Sequence, residues 1–170
     1  MTHRRIYDFD RHAQFVTFSC YRRRRLLDHE LMRETLVAIL AKKLELYHGL
    51  CSGFVIMPDH VHAIVWFSEI GDLSRFMKSW KQTSSLKLKA MMRGLLQNYA
   101  KAVHLSDPFW QAKYYPFNLY SDGKARVKLD YMHLNPVKAG LVQRAVDWKS
   151  SSARYYELGE CVGVPLKWIF

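Results

Sequence analysis

The chain has few of the features that mark secreted or membrane proteins. Its 170 residues include three scattered cysteines and no CxxC pair, so we expect neither a disulfide framework nor a cysteine zinc site, and a reducing cytoplasm fits. No apolar segment follows the basic start, residues 1–5, so no secretory signal peptide is expected. The longest apolar run, residues 54–67, contains an aspartate and two histidines and is too short to span a bilayer. We therefore expect a cytoplasmic protein without membrane contact.

Acidic residues are also scarce relative to basic ones. The chain contains 26 Lys and Arg against 15 Asp and Glu, which gives a formal net charge of +11 and a sequence pI near 9.7. This excess of positive charge is typical of proteins that bind nucleic acid, although it also occurs in merely soluble basic proteins. No repeat, low-complexity segment or linker divides residues 1–170, so we predict a single domain large enough to bury a core.

The most informative motif is a pair of histidines in the longest apolar run. His60 and His62 are separated by Val61 within residues 54–67, whose β-branched and aromatic residues predict a buried strand. Side chains alternate between the faces of a strand, so both imidazoles face the same way, with Cα atoms about 6.5 Å apart. Two imidazoles at this spacing can bind one divalent metal ion. The alternative is that both histidines are structural.

The apolar pattern predicts strands and helices in a mixed order. Because the order is strand, helix, strand, strand, helix, strand, helix, we predict an α+β fold with a ferredoxin-like βαββαβ core: an antiparallel sheet with helices on one face and a C-terminal helix that carries a tyrosine. Asp28 and Asp122 are the predicted N-caps of the first and last helices, and Pro136 is expected to end the last one. The predicted strands cover residues 14–20, 50–57, 60–67 and part of 109–120, and the predicted helices cover 28–47, 73–92 and 122–134.

The last predicted helix offers a nucleophile and a further metal ligand. Tyr131 and Asn135 are four residues apart, so they share one helical face. The amide of Asn135 offers a carbonyl oxygen to a metal, and the phenol of Tyr131 offers an oxygen nucleophile. His133 lies on a different face, which argues against it as the base that deprotonates the phenol. Tyrosine is common in this chain, 10 of 170 residues, so an unreactive role for Tyr131 stays open at this stage.

Two basic segments are candidates for contact with DNA phosphates. An arginine run follows the first predicted strand, and one side of the second predicted helix is almost purely basic. Either segment could instead be an ordinary solvated surface. The candidates for stacking on unpaired bases are Tyr21, Trp80, Trp110, Tyr114 and Tyr115. Of these, Trp80 lies on an apolar stripe and is expected to be buried. The predicted phosphate contacts are Arg22, Arg23, Arg24, Arg25, Arg75, Lys78 and Lys81.

Four motifs in a consistent order carry a resemblance to a known family. They are Met57–His62 (MPDHVH), Phe109–Gln111 (FWQ), the stretch Asp130–Val142 with its DY and NPVKAGLV segments, and Trp148–Ser152 (WKSSS). On these motifs residues 7–156 resemble the HUH-type tyrosine transposases of the IS200/IS605-like family, and more closely the REP-associated tyrosine transposases. The histidine pair alone is a weak signal, but the pair followed by DY and NPVKAGLV is specific.

The resemblance implies a bacterial enzyme that cleaves and rejoins single-stranded DNA at REP-like hairpins through a 5′-phosphotyrosine, with a divalent metal. Carried over by position, His60 and His62 are metal ligands and Tyr131 is the nucleophile. Asn135 aligns with the polar residue that completes the metal site, where other branches of the family have glutamine. The metal expected on resemblance is Mg²⁺ or Mn²⁺. The alternatives at this stage are a non-catalytic nucleic-acid-binding protein and a metal-dependent nuclease that activates water.

The expected partner is single-stranded or hairpin DNA. The resemblance leaves two oligomeric states open. In IS200/IS605-like relatives two chains pair and the tyrosine helix of one chain completes the site of the other, whereas REP-associated relatives can act as single chains. We expect a monomer, with a homodimer as the alternative.

Overall fold

The computed structural model describes residues 12–101 and 103–170 and is organised around a four-stranded sheet. Its strands are β1 (Ala13–Ser19), β2 (Leu50–Ile56), β3 (His60–Trp66) and β4 (Tyr115–Leu119). The order is β2-β3-β1-β4, and every neighbouring pair is antiparallel. This is the arrangement of a ferredoxin-like βαββαβ core, so the predicted fold class is confirmed. Residues 1–5, in which we expect no signal peptide, lie outside the described residues.

The described part of the chain also contains five helices. Among the described residues, none of these helices is long and apolar enough to cross a bilayer. Short 3-10 turns at Tyr21–Arg23 and Ala145–Asp147 connect other elements. The helices are α1 (Glu30–Leu46), α2 (Asp72–Gly94), α3 (Gln97–Ala100), α4 (Asp122–Lys138) and α5 (Ala153–Leu158).

The two faces of the sheet have different coverings. Odd-numbered residues of β3, such as Val61, belong to the large core that also includes the buried stripes of α1 and α2. Even-numbered residues of β3 face the other way, where Ile64 packs with Leu129 and Met132 of α4. Because side chains alternate along a strand, His60 and His62 lie on the face that α4 covers. The sheet therefore lies between the core that includes α1 and α2 and the candidate site on the face that α4 covers.

The predicted helix caps are each displaced by one residue. Asp28 was expected to cap α1, but the cap is His29, whose side chain accepts a hydrogen bond from the backbone N–H of Leu31 at 3.2 Å. Asp122 was expected to cap α4, but the cap is Ser121. Asp122 instead lies in the first turn, where its negative charge favours the helix N-terminus. Both predicted caps are wrong because a neighbouring residue could also accept the first free N–H.

The predicted end of the last helix is also wrong. Pro136 lies inside α4, which continues to Lys138. A proline removes its own N–H from the helical hydrogen bonds and crowds the carbonyl four residues earlier, but the following bond from the Ala139 N–H to the Asn135 carbonyl still forms at 2.9 Å. Gly140, with φ 69°, is the residue that ends the helix, because this left-handed conformation suits glycine. The extra turn keeps Asn135 within regular helix.

The two edges of the sheet are unequal. Along β2, the N–H of Ile56 donates to the carbonyl of Ser150 at 2.8 Å and the N–H of Lys167 donates to the carbonyl of Cys51 at 2.9 Å. The C-terminal part of the chain thus covers this edge. At the other edge, no strand of the described residues pairs with the outer side of β4, and Pro116 lies in that strand. Proline at an open edge limits further strand pairing.

Gly53 sets the distance between the sheet and α4. A Cβ at this position would lie 2.5 Å from Cδ1 of Leu129 and 2.7 Å from Cε of Met132. We expect Gly53→Ala to lower the free energy of unfolding by about 1–3 kcal/mol, as overpacked cores do. The melting temperature should then fall by several degrees, measured by circular dichroism. Gly94→Ala is the control, because a Cβ there meets nothing within 4 Å. An equal melting temperature for both variants would contradict the tight packing.

Candidate active site

Two imidazoles of β3 lie side by side, as the alternation of the strand predicts. The ring centroids of His60 and His62 are 4.8 Å apart. Both side chains are buried. In the register of the sheet, His60 is opposite Ser19 and His62 is opposite Thr17 of β1. The pair is therefore held by two strands, which gives it a rigid position.

Each imidazole has one nitrogen engaged and one available. Nδ1 of His60 is 2.7 Å from Oδ1 of Asp59, and an ionised carboxylate only accepts, so this nitrogen carries the proton. Nδ1 of His62 is 2.7 Å from Oγ1 of Thr17. The Nε2 atom of His62 is buried without a hydrogen-bond partner among the described residues. In a metal-binding histidine, the ring nitrogen that does not bind the metal usually forms a hydrogen bond with an oxygen group, and this bond fixes the orientation of the ring.

Both imidazoles are held in the neutral state. Burial, together with charge repulsion from the neighbouring His60, Arg23 and Lys128, lowers the pKa of His62 to about 3. Burial also lowers the pKa of His60, although the carboxylate of Asp59 opposes this shift. A neutral imidazole is the form that binds a metal. The pair is therefore ready to coordinate at neutral pH without losing a proton.

Tyr131 projects from α4 toward this pair. Its ring centroid is 5.6 Å from that of His62 in an edge contact. Phe15 of β1 supports both rings, with centroids 5.1 Å from His62 and 6.2 Å from Tyr131. The side chain of Tyr131 remains 42% exposed, so a large substrate can reach it. The phenol and the imidazoles meet within one chain.

Asn135 lies one helical turn after Tyr131. Its Nδ2 donates to the backbone carbonyl of Tyr131 at 3.1 Å, which leaves Oδ1, the atom that a metal would take. Among the described residues, no three His, Cys, Asp or Glu side chains are grouped so that they could hold a metal. A site built on His60 and His62 would thus need a neutral oxygen as its third protein ligand. The amide of Asn135 has that chemistry.

Two lysines near the phenol were missed by the sequence prediction. Nζ of Lys128 is 5.6 Å from the ring centroid of Tyr131, and Nζ of Lys138 is also 5.6 Å from it. Lys128 also lies 5.0 Å from the ring of Phe15 and 4.9 Å from that of Phe117. Positive charge at this place favours a bound phosphate. Lys128 could have been found, because it lies three residues before Tyr131 on the same helical face.

The site also includes an ion pair that the sequence pattern did not reveal. Nε of Arg23 is 3.0 Å from Oδ2 of Asp59, the carboxylate that binds His60. Nη1 of Arg23 donates to Oγ of Ser19 at 2.9 Å. Arg23 was predicted as a DNA contact, and it lies at the His60 end of the site. Asp59 directly precedes His60, which was the available signal.

A family model described as "Transposase IS200 like" matches residues 8–135 of this chain. This match covers well over half of the chain and includes His60, His62, Tyr131 and Asn135. The chain belongs to the IS200-like transposase family. The resemblance stated from the motifs is thereby confirmed at the level of the family.

Curated relatives of this IS200-like transposase carry the REP-associated name. The chain is 26% identical over 101 residues to a REP-associated tyrosine transposase of Escherichia coli, covering 59% of this chain and 52% of that one. It is 29% identical over 98 residues to a Haemophilus influenzae protein of the same name, covering 57% and 54%. The chain thus spans about half the length of the curated relatives it matches. These names agree with the REP-associated branch that the motifs indicated.

Solved structures share the fold. A REP-associated tyrosine transposase bound to a REP hairpin superposes with a TM-score of 0.70 at 22% identity, covering 98% of this chain and 93% of that one. A Deinococcus radiodurans protein described as a transposase gives a TM-score of 0.53 at 16% identity, covering 77% and 94%. At these identities the likeness shows the fold alone.

Three of the other predicted DNA contacts belong to α2. Arg75 and Lys78 are on α2, which packs against the sheet face opposite the imidazoles. Nζ of Lys81 is directed inward and donates to the carbonyls of Gln111 and Ala112, both at 2.8 Å. Their contact with DNA stays a prediction, and for Lys81 the structure adds an anchoring role for residues 111–112.

Besides Arg23, three further arginines among the predicted phosphate contacts form ion pairs with carboxylates. Arg24 pairs with Asp107 at 2.8 Å, and Arg25 pairs with Asp28 at 2.8 Å. Arg75 pairs with Asp72 at 2.9 Å. The guanidinium of Arg22 lies over the ring of Tyr21, with Cζ 5.1 Å from the centroid. These partners reduce the local excess of positive charge that the arginine run suggested.

Proposed function

We propose that this transposase cleaves and rejoins single-stranded DNA next to REP-like hairpins through a 5′-phosphotyrosine on Tyr131. The observation that carries the proposal is the contact between the rings of Tyr131 and His62, 5.6 Å apart within one chain. The net charge of +11 suits a polyanionic substrate. A hairpin substrate is supported by the solved relative that is described as bound to a REP hairpin.

The residues present fit a divalent metal ion. His60 and His62 would hold it through Nε2, since Nδ1 of each ring already has a partner, and Asn135 would add Oδ1. A donor set that includes an amide and leaves room for water and phosphate oxygens favours Mg²⁺ or Mn²⁺. When bound, the ion would offset the negative charge that develops on the scissile phosphate. The buried, unpartnered Nε2 of His62 supports this assignment.

The covalent step follows from the position of the phenol. Oη of Tyr131 attacks phosphorus and forms a new P–O bond, while the bond from phosphorus to the 3′ oxygen breaks. The phenol proton passes to solvent, and the leaving 3′ oxygen takes a proton to become a free 3′-OH. One phosphodiester replaces another, so rejoining requires no nucleotide cofactor. A 3′-OH of a different strand can reverse the step and complete the transfer.

The lysines around Tyr131 have a part in this step. The phosphorus gains negative charge as the phenol attacks, and two ammonium groups lie 5.6 Å from the phenol ring. Such fixed cations stabilise the charge that develops in the transition state. His133 is not the base that accepts the phenol proton, because its Nε2 lies 2.7 Å from Oγ of the buried Ser152. The base that accepts the phenol proton is therefore solvent in this proposal.

The test follows both fragments of a cut strand. An oligonucleotide with a hairpin and a single-stranded flank is labelled on the 3′ side of the cleavage site and incubated with the protein and Mg²⁺ or Mn²⁺. We expect the label to migrate with the protein on a denaturing gel. A free fragment with a 5′-phosphate and no protein-linked label would indicate a nuclease that activates water. Binding without any cut strand would indicate a non-catalytic protein.

We further propose that one chain forms a complete site, since Tyr131 contacts His62 without a second chain. Mixing the Tyr131→Phe and His62→Ala variants should then restore no adduct formation at any protein concentration. A homodimer that exchanges its tyrosine helices would instead regain part of the activity, because one of its two sites would carry both intact residues. The adduct assay on the mixture, with the mass in solution from light scattering, distinguishes the two.

A further inference from the structure

The edge strand β4 carries an exposed aromatic row on the catalytic face. Tyr115 is 55% exposed and Phe117 is 42% exposed. Tyr115 lies opposite Thr17 and Phe117 lies opposite Phe15 in the register with β1. Directly paired residues of an antiparallel sheet point to the same face. The row therefore lies next to Thr17 and Phe15, two of the side chains that contact His62.

Positive charge surrounds this row. Nζ of Lys128 is 4.9 Å from the ring centroid of Phe117, so one ammonium lies between the row and Tyr131. A groove of about 550 Å³ adjoins the other end of the row and reaches Ser19, the neighbour of His60 in the sheet. This volume is within the range of small-ligand sites. The groove is lined by Ser19, Arg23, Gln111, Ala112, Lys113 and Tyr115.

We propose that Tyr115 and Phe117 form a stacking subsite for the unpaired nucleotides next to the scissile phosphate, a proposal that rests on the proposed function. Lys113 and Lys128 contact the backbone phosphates of these nucleotides. Stacking on aromatic rings beside cations is how proteins bind single strands with little dependence on sequence. The subsite thus continues the path of the strand from the phenol and imidazoles across β1 to the edge of the sheet.

The surroundings of the row favour a nucleic acid over a protein partner. A peptide would add to an open edge through backbone hydrogen bonds, and Pro116, between the two aromatic residues, has no N–H to offer. The adjacent cations Lys113 and Lys128 suit a polyanion. Tyr115 and Phe117, which flank Pro116, therefore bind a partner through the faces of their rings and not through the backbone of β4.

The other aromatic candidates for base stacking contact other parts of the protein. Oη of Tyr114 lies 3.2 Å from Oγ of Ser74 on α2, on the side of the sheet away from the imidazoles. Trp80 and Trp110 are buried in the core, as expected for Trp80. Tyr21 is covered by the guanidinium of Arg22, so Tyr115, paired with Thr17, is the tyrosine candidate that lies on the catalytic face. Phe117 was not predicted, because its exposure on an edge strand is not visible in the sequence.

The test compares a hairpin that has a single-stranded tail with a blunt hairpin, in EDTA so that no strand is cut. We expect Tyr115→Ala and Phe117→Ala each to weaken binding of the tailed hairpin by roughly 10-fold, with little change for the blunt one. Tyr115→Phe and Phe117→Tyr should restore binding, because they keep the ring. Tyr155→Ala is the control, since Tyr155 is an exposed tyrosine of α5, beyond the opposite edge of the sheet. Alanine variants that bind the tail like the unmodified protein would overturn the proposal.

The charge of Lys128 has its own measurement. Lys128→Gln should reduce the slope of log K against log salt for the tailed hairpin by roughly 1, as expected for the loss of one phosphate contact. An unchanged slope would remove Lys128 from the subsite. Arg126→Gln is the control, because Arg126 is exposed on the same helix and its guanidinium already pairs with Asp122 at 2.7 Å.

The outcomes separate the subsite from the chemistry. If no adduct forms with any strand but the alanine variants still lose affinity for the tail, the proposed function fails and the subsite stands. If adducts form at the normal rate in the alanine variants and tail binding is unchanged, the subsite fails and the proposed function stands. A 2-aminopurine placed at successive tail positions should be quenched by stacking only within the nucleotides nearest the cut, and quenching that survives both alanine changes would also overturn the proposal.

Discussion

Tyr131→Phe is expected to abolish the covalent adduct between protein and DNA while leaving hairpin binding nearly unchanged. The substitution removes only the phenol oxygen, and the ring contacts with His62 and Phe15, at 5.6 and 6.2 Å, stay available to phenylalanine. Loss of a nucleophile costs roughly 10⁴- to 10⁶-fold in the rate of the covalent step. The measurement is single-turnover adduct formation with a labelled strand, together with the dissociation constant in EDTA.

The matched control for Tyr131→Phe is Tyr155→Phe. Tyr155 is an exposed tyrosine of α5 whose ring contacts Tyr156, so removal of its hydroxyl should leave the rate of adduct formation unaltered. Adducts that persist in the Tyr131→Phe protein would place the nucleophile on another residue. A variant that loses binding together with adduct formation would instead mean that the hydroxyl holds the strand in place.

His62→Ala, and likewise His60→Ala, should remove metal-dependent cleavage but keep salt-sensitive DNA binding. Loss of even an outer partner of a metal ligand costs 10- to 100-fold in affinity or activity, so loss of a ligand should cost more than ~100-fold. Binding persists because phosphate contacts, and not the imidazoles, provide most of the affinity. Single-turnover cleavage with Mn²⁺ measures the first effect, and titration of DNA at several salt concentrations measures the second.

A second measurement tests metal binding without relying on catalytic activity. Free Mn²⁺ has an electron paramagnetic resonance signal that decreases as the ion binds protein, and this decrease should be lost in His62→Ala. His29→Ala is a control, because His29 is exposed at the start of α1, away from the pair. Unchanged cleavage together with unchanged Mn²⁺ binding in both imidazole variants would reject the metal role.

The local periodicity of the chain correctly predicted that the two histidines would lie side by side. A period of two placed His60 and His62 on one face, and a spacing of four placed Asn135 one turn after Tyr131. The order of strands and helices also predicted the sheet that holds them. These features depend on residues that are close together in the sequence, so a single sequence is enough to predict them. The proposed roles of the four residues, the metal and the oligomeric state stay predictions.

The partners of these residues could not be predicted, because they depend on contacts between distant segments. Thr17 meets His62 only through the pairing of β1 with β3, at a separation of 45 residues. Arg24 meets Asp107 across 83 residues, so a basic run in the sequence became a set of ion pairs in the fold. Phe117 is near Lys128 because an edge strand and a helix share one sheet face. Periodicity does not reveal the register between two strands, and a count of charged residues does not reveal which of them form ion pairs.

The unequal edges of the sheet limit how copies of this protein can associate through their strands. The C-terminal segment occupies the outer side of β2, so within the described residues the open edge of the sheet is β4, where Pro116 already limits pairing. If two molecules joined their β4 strands about a two-fold axis, both ends of the combined sheet would be covered β2 strands. Such an assembly is closed after two copies and cannot propagate into a fibre. The covered outer side of β2 thereby limits strand pairing between copies to two molecules.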